Sequence, residues 1–177
     1  MTRLLESLSP PARSWLRSLG RLTEDVDWPG ILAHTEGWQV ANKAYQDEQR
    51  RWGVAEMQAL LGHLNLEPRL DLALERDVLL AAIEVYLHTD QTSAQARLED
   101  DTIRVDISRC PIFDRIMDVR WYGLTACGCF ARRKGWYDAI GVRPDEELVM
   151  TRKWGDPVCE LRIHLLAGYT PGDRPTK

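Results

Sequence analysis

Apolar side chains recur at three- and four-residue intervals along the first half of the chain and, beyond Asp90, at every second position. The first period belongs to helices with one buried face, the second to strands with one buried face. Leu4, Leu5 and Leu8, then Trp15, Leu16 and Leu19, predict a short helical start interrupted near Pro10-Pro11. Asp27-Trp28-Pro29 is a helix-start signal. From there Ile31, His34, Trp38, Ala41 and Tyr45 continue one stripe as far as Gly53, with Lys43, Asp47 and Arg50 on the opposite face. Val54 to Leu64 and Leu70 to Leu87 predict two further helices, striped by Met57, Leu60 and Leu61 and by Leu72, Val78, Leu79, Ile83 and Leu87.

Ser93 to Leu98 and Thr102 to Ser108 flank the turn-forming Glu99-Asp100-Asp101 and predict a hairpin. Leu148 to Trp154 and Val158 to Leu166 surround Gly155-Asp156-Pro157 and predict a second. Between them Gly123 to Ile140 reads as a helix. The expectation is an α+β fold in which a helical N-terminal half packs on a small antiparallel sheet built from two hairpins with an intervening helix. The pattern divides into a helical part over 1–90, a sheet-and-helix part over 91–167 and a tail over 168–177 whose Pro and Gly content predicts disorder.

With 177 residues and 44% hydrophobic content the chain suffices for a single domain with its own core. Its 27 acidic and 23 basic residues, net charge -4, provide no field for nucleic acid or an anionic membrane. No run approaches the ~20 apolar residues of a membrane span, and the first residues lack the apolar stretch of a secretion signal, so a cytoplasmic location is expected. A small-molecule substrate is the expected partner, and a homodimer stays open.

The four cysteines all fall between Cys110 and Cys159. In a cytoplasmic chain they read as free thiols, ligands or catalytic groups rather than disulfides. Cys110 precedes Pro111, so its sulfur is expected at the mouth of a helix over Ile112 to Trp121, where free N–H groups and the dipole favour a thiolate. Cys127 and Cys129 do not have the spacing of a zinc knuckle, and neither a metal nor a cofactor is expected.

Strand alternation sorts the remaining candidates. Cys159, Leu161, Ile163 and Leu165 share one face, and Glu160, Arg162 and His164 the other. In the earlier strand Ile103, Val105 and Ile107 oppose Arg104, Asp106, Ser108 and, if the strand persists, Cys110. On one reading His164 is the base for Cys110, with Asp106, Glu160 or Asp156 orienting the ring. On the other these residues form a solvated sheet face. In the helix, residues two apart lie on different sides, which places Cys127 with Leu124 and Ala131, and Cys129 with Arg132, Arg133 and Trp136. The arginines there lower the pKa of Cys129 and clamp a substrate carboxylate, or else form an exposed basic patch. His34 is expected in the core, and His63 and His88 at helix ends.

The run Val105-Asp106-Ile107-Ser108-Arg109-Cys110-Pro111, the cysteines after it, and Met150-Thr151-Arg152-Lys153-Trp154-Gly155-Asp156-Pro157-Val158-Cys159 resemble the L-2-amino-thiazoline-4-carboxylate hydrolase-like family, over roughly Asp101 to Leu166. That resemblance implies hydrolysis of a C–N bond in a small cyclic amidine-like substrate. The Gly155 to Cys159 turn is also similar to the four-vinyl-reductase domain and related domains, which implies binding of a hydrophobic or tetrapyrrole ligand. The family tends to carry aspartate three residues after its middle cysteine, whereas Arg132 follows Cys129 here. This reversal of charge points to a changed substrate or a biosynthetic tailoring role.

The leading expectation is therefore a hydrolase-like or cyclase-like enzyme acting on a small carboxylated heterocycle or amino-acid derivative. Its catalytic set would be Cys110, His164, Asp106 and Asp156, and its substrate contacts Cys129, Arg132, Arg133 and Trp136. The competing expectation is a non-catalytic module that encloses a hydrophobic ligand or holds a metal through Cys110, Cys129 and Cys159. A third is a structural partner subunit.

Overall fold

Proline, glycine and asparagine punctuate the helices where the backbone needs them. The computed structural model describes residues 3–22, 27–68, 70–88, 92–110, 113–114 and 127–165. Helix α1 (Arg3–Glu6) ends before Pro10, which opens α2 (Pro10–Leu22), a first-turn position where its missing N–H is no loss. Helix α3 (Asp27–Glu36) stops at Gly37, whose φ of 85° turns the chain into α4 (Trp38–Leu64). Asn65, left-handed at φ 54°, closes α4, and the Asp71 side chain accepts from Leu74 N at 2.9 Å to start α5 (Leu72–Tyr86).

The break therefore falls at Gly37 rather than at Gly53, and the two segments expected on either side of Gly53 are one helix of 27 residues. Gly53 is buried mid-helix because α6 (Gly128–Ile140) crosses there. A Cβ on Gly53 would stand 1.9 Å from the backbone oxygen of Arg132, and one on Gly135 would stand 2.2 Å from that of Arg50. Ahead of the break, Ile31 and His34 are exposed, so His34 is not the core histidine that the stripe suggested.

Strands β1 (Ser93–Glu99), β2 (Thr102–Arg109), β3 (Asp145–Met150) and β4 (Cys159–His164) form one antiparallel sheet in the order β1-β2-β4-β3. The fold is α+β, with a helical N-terminal half, as expected. The first hairpin keeps its predicted bounds within a residue. The first strand of the second hairpin begins at Asp145, earlier than expected, and ends at Met150, because Arg152–Trp154 winds into a 3-10 turn. Asp156 holds that turn: its carboxylate accepts from Thr151 N at 2.8 Å.

Ile103, Val105, Ile107, Leu161 and Ile163 line the buried face and join one core with Val78, Leu79, Ile83 and Tyr86 of α5, Met57, Leu60 and Leu61 of α4, and Trp136 and Ile140 of α6. The outer face carries a charge network. Arg104 Nη2 donates to Glu160 at 2.7 Å, and Arg162 reaches the same carboxylate at 3.1 Å, while Arg97 and Arg104 each stand 3.4 Å from Asp106. Among the described residues no helix is long and apolar enough to cross a membrane. The expected tail over 168–177 and the helix over Ile112 to Trp121, apart from Phe113 and Asp114, lie outside the described residues.

The two glycines of α4 separate close approach from helix propensity. Gly53→Ala forces backbone apart and is expected to destabilise the fold by roughly 1–3 kcal/mol or more. Gly62, with nothing within 4 Å of an added Cβ, is expected to gain about 1 kcal/mol on Gly62→Ala from helix propensity alone. Urea unfolding of both variants checks the opposite signs.

Candidate functional site

Glycine at 128 and 135, one heptad apart, lets α6 press its first two turns onto the face of α4 that carries Tyr45, Gln49, Gly53 and Glu56. A Cβ at Gly128 would meet the Tyr45 hydroxyl at 2.5 Å. Farther along the crossing, Glu56 is fully buried and receives a bidentate bond from Arg132, Nε at 2.8 Å and Nη2 at 2.5 Å. Trp136 Nε1 donates to the same carboxylate at 2.8 Å, and Tyr86 Oη donates to the Glu56 carbonyl at 2.7 Å. Glu146 does the same for Arg133, accepting from its Nη2 at 2.5 Å and from Tyr137 Oη at 2.6 Å.

This crossing delivers the start of α6 to the end of β2. Cys127 is the N-cap, with extended backbone at φ −75° and ψ 126°, and Cys129 sits in the first turn. Their sulfurs are 2.7 Å apart. Cys110, immediately after β2, is buried, and it lines one small cavity with Cys129. Its carbonyl accepts from Asp114 N at 3.0 Å, the geometry of a helical turn that opens at Cys110. Gln49, Leu87, Thr92, Ile107 and Arg132 complete a cavity of about 20 Å³ against Cys110 and Cys129, room for about one water.

The three thiols do not share ionisation equally. Hydrogen bonds donated by Cys110 and Cys127 hold the Cys129 thiol well below its ordinary value, against burial and with the help of the Arg133 and Arg132 charges. The same bonds to Cys129, followed by burial, push Cys110 and Cys127 well above theirs. Cys129 is thus the most readily ionised of the three thiols. Burial raises the Tyr45 phenol, and the neighbouring sulfurs Cys127, Cys129 and Cys110 raise it further, so it stays protonated. Burial works against the Arg133 charge, but Glu146 keeps the guanidinium protonated.

Among the described residues no group of three or more His, Cys, Asp or Glu is arranged to hold a metal ion.

No family model matches the chain, and no curated protein does. Solved structures similar to it include a trafficking protein particle complex subunit 3 from Naegleria fowleri covalently bound to palmitic acid, 14% identical with a TM-score of 0.50, over 88% of this chain and 95% of that one. What that likeness shows is the fold. An H-NOX protein from S. oneidensis in the Fe(II)NO ligation state is 15% identical over 72% of this chain and 71% of that one, with a TM-score of 0.40, too low to bear on either fold or function.

Several expected site residues are not brought together. His164 pairs with Thr102 across the sheet, its Nδ1 2.8 Å from Thr102 Oγ1. Cys110 lies eight residues along the chain from Thr102, roughly 26 Å of extended strand, so His164 is no base for it. Cys110 also leaves the polar face, because β2 ends at Arg109 and the next residue turns inward. Asp106 belongs to the outer charge network, and Asp156 organises the 3-10 turn. Arg132 and Arg133 are neither an exposed patch nor carboxylate clamps, since both are buried and committed to Glu56 and Glu146. Trp136 is fully buried on Glu56 and forms no substrate wall.

Cys127 and Cys129 were expected on different sides of a helix. They meet because Cys127 is an extended N-cap outside the helical turn. Cys159 packs against the core as expected, its Sγ accepting from Arg152 N at 3.4 Å.

The asymmetry of the thiols is measurable. Iodoacetamide is expected to label Cys129 with a midpoint below the ~8.5 of a free thiol, because a lowered pKa leaves the reactive anion populated at lower pH. Cys110 is expected to react only above that value. Peptide mapping from pH 5 to 9 reads both, and equal midpoints would contradict the assignment.

Proposed function

We propose that this protein is a cysteine-dependent enzyme of hydrolase-like or cyclase-like type, acting on a small carboxylated heterocycle or amino-acid derivative with Cys129 as its nucleophile. The observation that carries this reading is the Cys129 thiolate at a helix start, beside a cavity and between two protonated thiols. The resemblance to L-2-amino-thiazoline-4-carboxylate hydrolases supplies the reaction class, and the role given to Cys110 at the outset moves from nucleophile to acid.

In that reaction the Cys129 sulfur adds to the C=N carbon of a cyclic amidine, and the Cys110 proton goes to the nitrogen as its π bond opens. The C–N bond of that tetrahedral adduct then breaks, its nitrogen leaving as the amine with a proton from the neighbouring nitrogen, and water adds to the carbon of the resulting Cys129 thioimidate, one of its protons going to the imino nitrogen. The Cys129 thiolate leaves, and a proton of that water restores Cys110. No imidazole or carboxylate is needed, since the cluster holds both the anion and the proton. Arg132, which stands where the family tends to have aspartate, answers Glu56 inside the core, so the substrate carboxylate requires another partner. That favours a substrate differing from the one for which the family is named.

A second reading is a ligand-binding module. It is favoured by the apolar Leu87 and Ile107 beside the thiols and by the likeness to a subunit covalently bound to palmitic acid.

Assays with L-2-amino-thiazoline-4-carboxylate and related cyclic amidines separate the two. Cys129→Ala is expected to abolish turnover, and Cys110→Ala to lower it by on the order of 100-fold, both with an unchanged circular dichroism spectrum. Full turnover in Cys129→Ala would end the enzymatic reading. Absence of turnover in the wild type, with a hydroxylamine-labile acyl mass on Cys129 after exposure to an acyl thioester, would establish the second.

A further inference from the structure

Hydrolysis by a thiolate needs one proton donor, and this cluster has two. Cys127 is the donor without an assigned task. Its sulfur touches that of Cys129 at 2.7 Å, and both residues keep partial access to solvent, whereas Cys110 is buried. The pair spans an extended N-cap and the first helical turn, so a bond between them closes a small ring at the start of α6.

A second feature faces the same place. Tyr45 is fully buried, and its hydroxyl finds no hydrogen-bond partner among the described residues. It packs against Gly128, the residue between the two cysteines. A buried hydroxyl without a partner costs about 1–3 kcal/mol, so its persistence at this spot points to a group that it serves only when a ligand is present. Nη1 of Arg133 is likewise buried and unpaired among the described residues, and the charge of that guanidinium acts on Cys129. Donors and positive charge suit an incoming or departing anion and oppose a cation.

We propose that Cys129 and Cys127 form a thiol–disulfide exchange couple that reduces a low-molecular-weight disulfide, with the Tyr45 hydroxyl as donor to the departing sulfur. The Cys129 thiolate attacks one sulfur of R–S–S–R, forming Cys129–S–S–R and releasing RS⁻. That anion takes the Cys127 proton and leaves as RSH. The Cys127 thiolate then attacks the Cys129 sulfur, forming the Cys127–Cys129 disulfide and releasing the second RS⁻. Two electrons pass from the protein to the disulfide, and a dithiol reductant returns the pair to its starting state. The activity shares only the Cys129 thiolate with the hydrolytic reading.

Glutathione disulfide is the probe. The reduced full-length protein is incubated with it at pH 7, quenched in acid, alkylated and digested with trypsin. Residues 121–132 form one peptide holding Cys127 and Cys129, while Cys110 falls in 110–115 and Cys159 in 154–162. The wild type is expected to release about two thiols per chain and to show a loss of about 2 Da confined to the 121–132 peptide. Cys127→Ser is expected to release about one and to retain a glutathione adduct on that peptide. A stable adduct on the wild-type peptide, or a cross-link between 110–115 and 121–132, overturns the proposal, and the wild-type map decides even if the variant fails to fold. Tyr45→Phe is expected to slow release of the first thiol while leaving the iodoacetamide midpoint of Cys129 in place; an unchanged release rate removes Tyr45 from the mechanism. A protein that opens no cyclic amidine yet releases two thiols keeps this activity and loses the hydrolytic one, and the converse result does the opposite.

Discussion

The crossing of α4 and α6 governs the structure. Two helices approach until their backbones touch only if side chains vanish at the contact, and Gly53 and Gly135 provide that absence on both sides. The approach in turn brings Arg132 within bidentate reach of Glu56. Removing both charges from water costs several kcal/mol per ion, and the Glu56 carboxylate recovers part of this through three N–H donors, two from Arg132 and one from Trp136. The larger consequence is specificity. A slip of α6 by one residue would separate Arg132 from Glu56 and Arg133 from Glu146 together, which no rearrangement of apolar contacts offsets. The two pairs thereby fix the register of α6, and with it the position of the α6 start.

That fixed start decides which thiol ionises. Helix dipoles contribute about 0.3–1 kcal/mol at a terminus, and one unit of pKa corresponds to 1.36 kcal/mol, so dipole alone shifts a thiol by less than a unit. Cys110, with a helical turn opening at its own carbonyl, receives such a contribution and still keeps its proton. The difference lies in donors. Cys129 stands in the middle and accepts from both neighbours, whereas each of them accepts nothing comparable in return. The two arginines add charge from beneath, partly spent on Glu56 and Glu146.

The sheet was legible because its signal is local. Period-two alternation in Thr102 to Ser108 and Cys159 to His164 assigns faces correctly wherever the backbone stays extended, and Glu99-Asp100-Asp101 announces the turn between β1 and β2. Errors arose where a long-range contact overrides a local rule. Gly53 looks like a helix end unless Arg132, far along the sequence, is known to press against it. Arg132 and Arg133 look like solvent-facing charges until Glu56 and Glu146 are brought to them. The cysteine pair was separated by assuming a helix through 127, when the N-cap lies at that residue. A usable signal did exist: Gly128 and Gly135 share a helical face, as do Tyr45, Gln49, Gly53 and Glu56, and small residues on one helix opposite a lone carboxylate on another mark a close crossing. His164 failed for a simpler reason, since face and distance are separate conditions and alternation informs only the first.

The cluster's proton inventory explains why one geometry supports more than one electrophile. The pKa of the Cys129 thiol is lowered while those of Cys110 and Cys127 are raised, and the Cys127 sulfur contacts that of Cys129. Addition to a C=N carbon requires a proton at nitrogen, and Cys110 is the buried thiol of the three, lining the small cavity beside Cys129. Cleavage of a disulfide requires a proton at sulfur and a second thiolate, and Cys127, partly exposed and bonded to Cys129, is placed for an attack that ends in a covalent link. The two thiols are therefore not redundant: burial assigns one to protonation and accessibility assigns the other to exchange, while the thiolate between them is common to both.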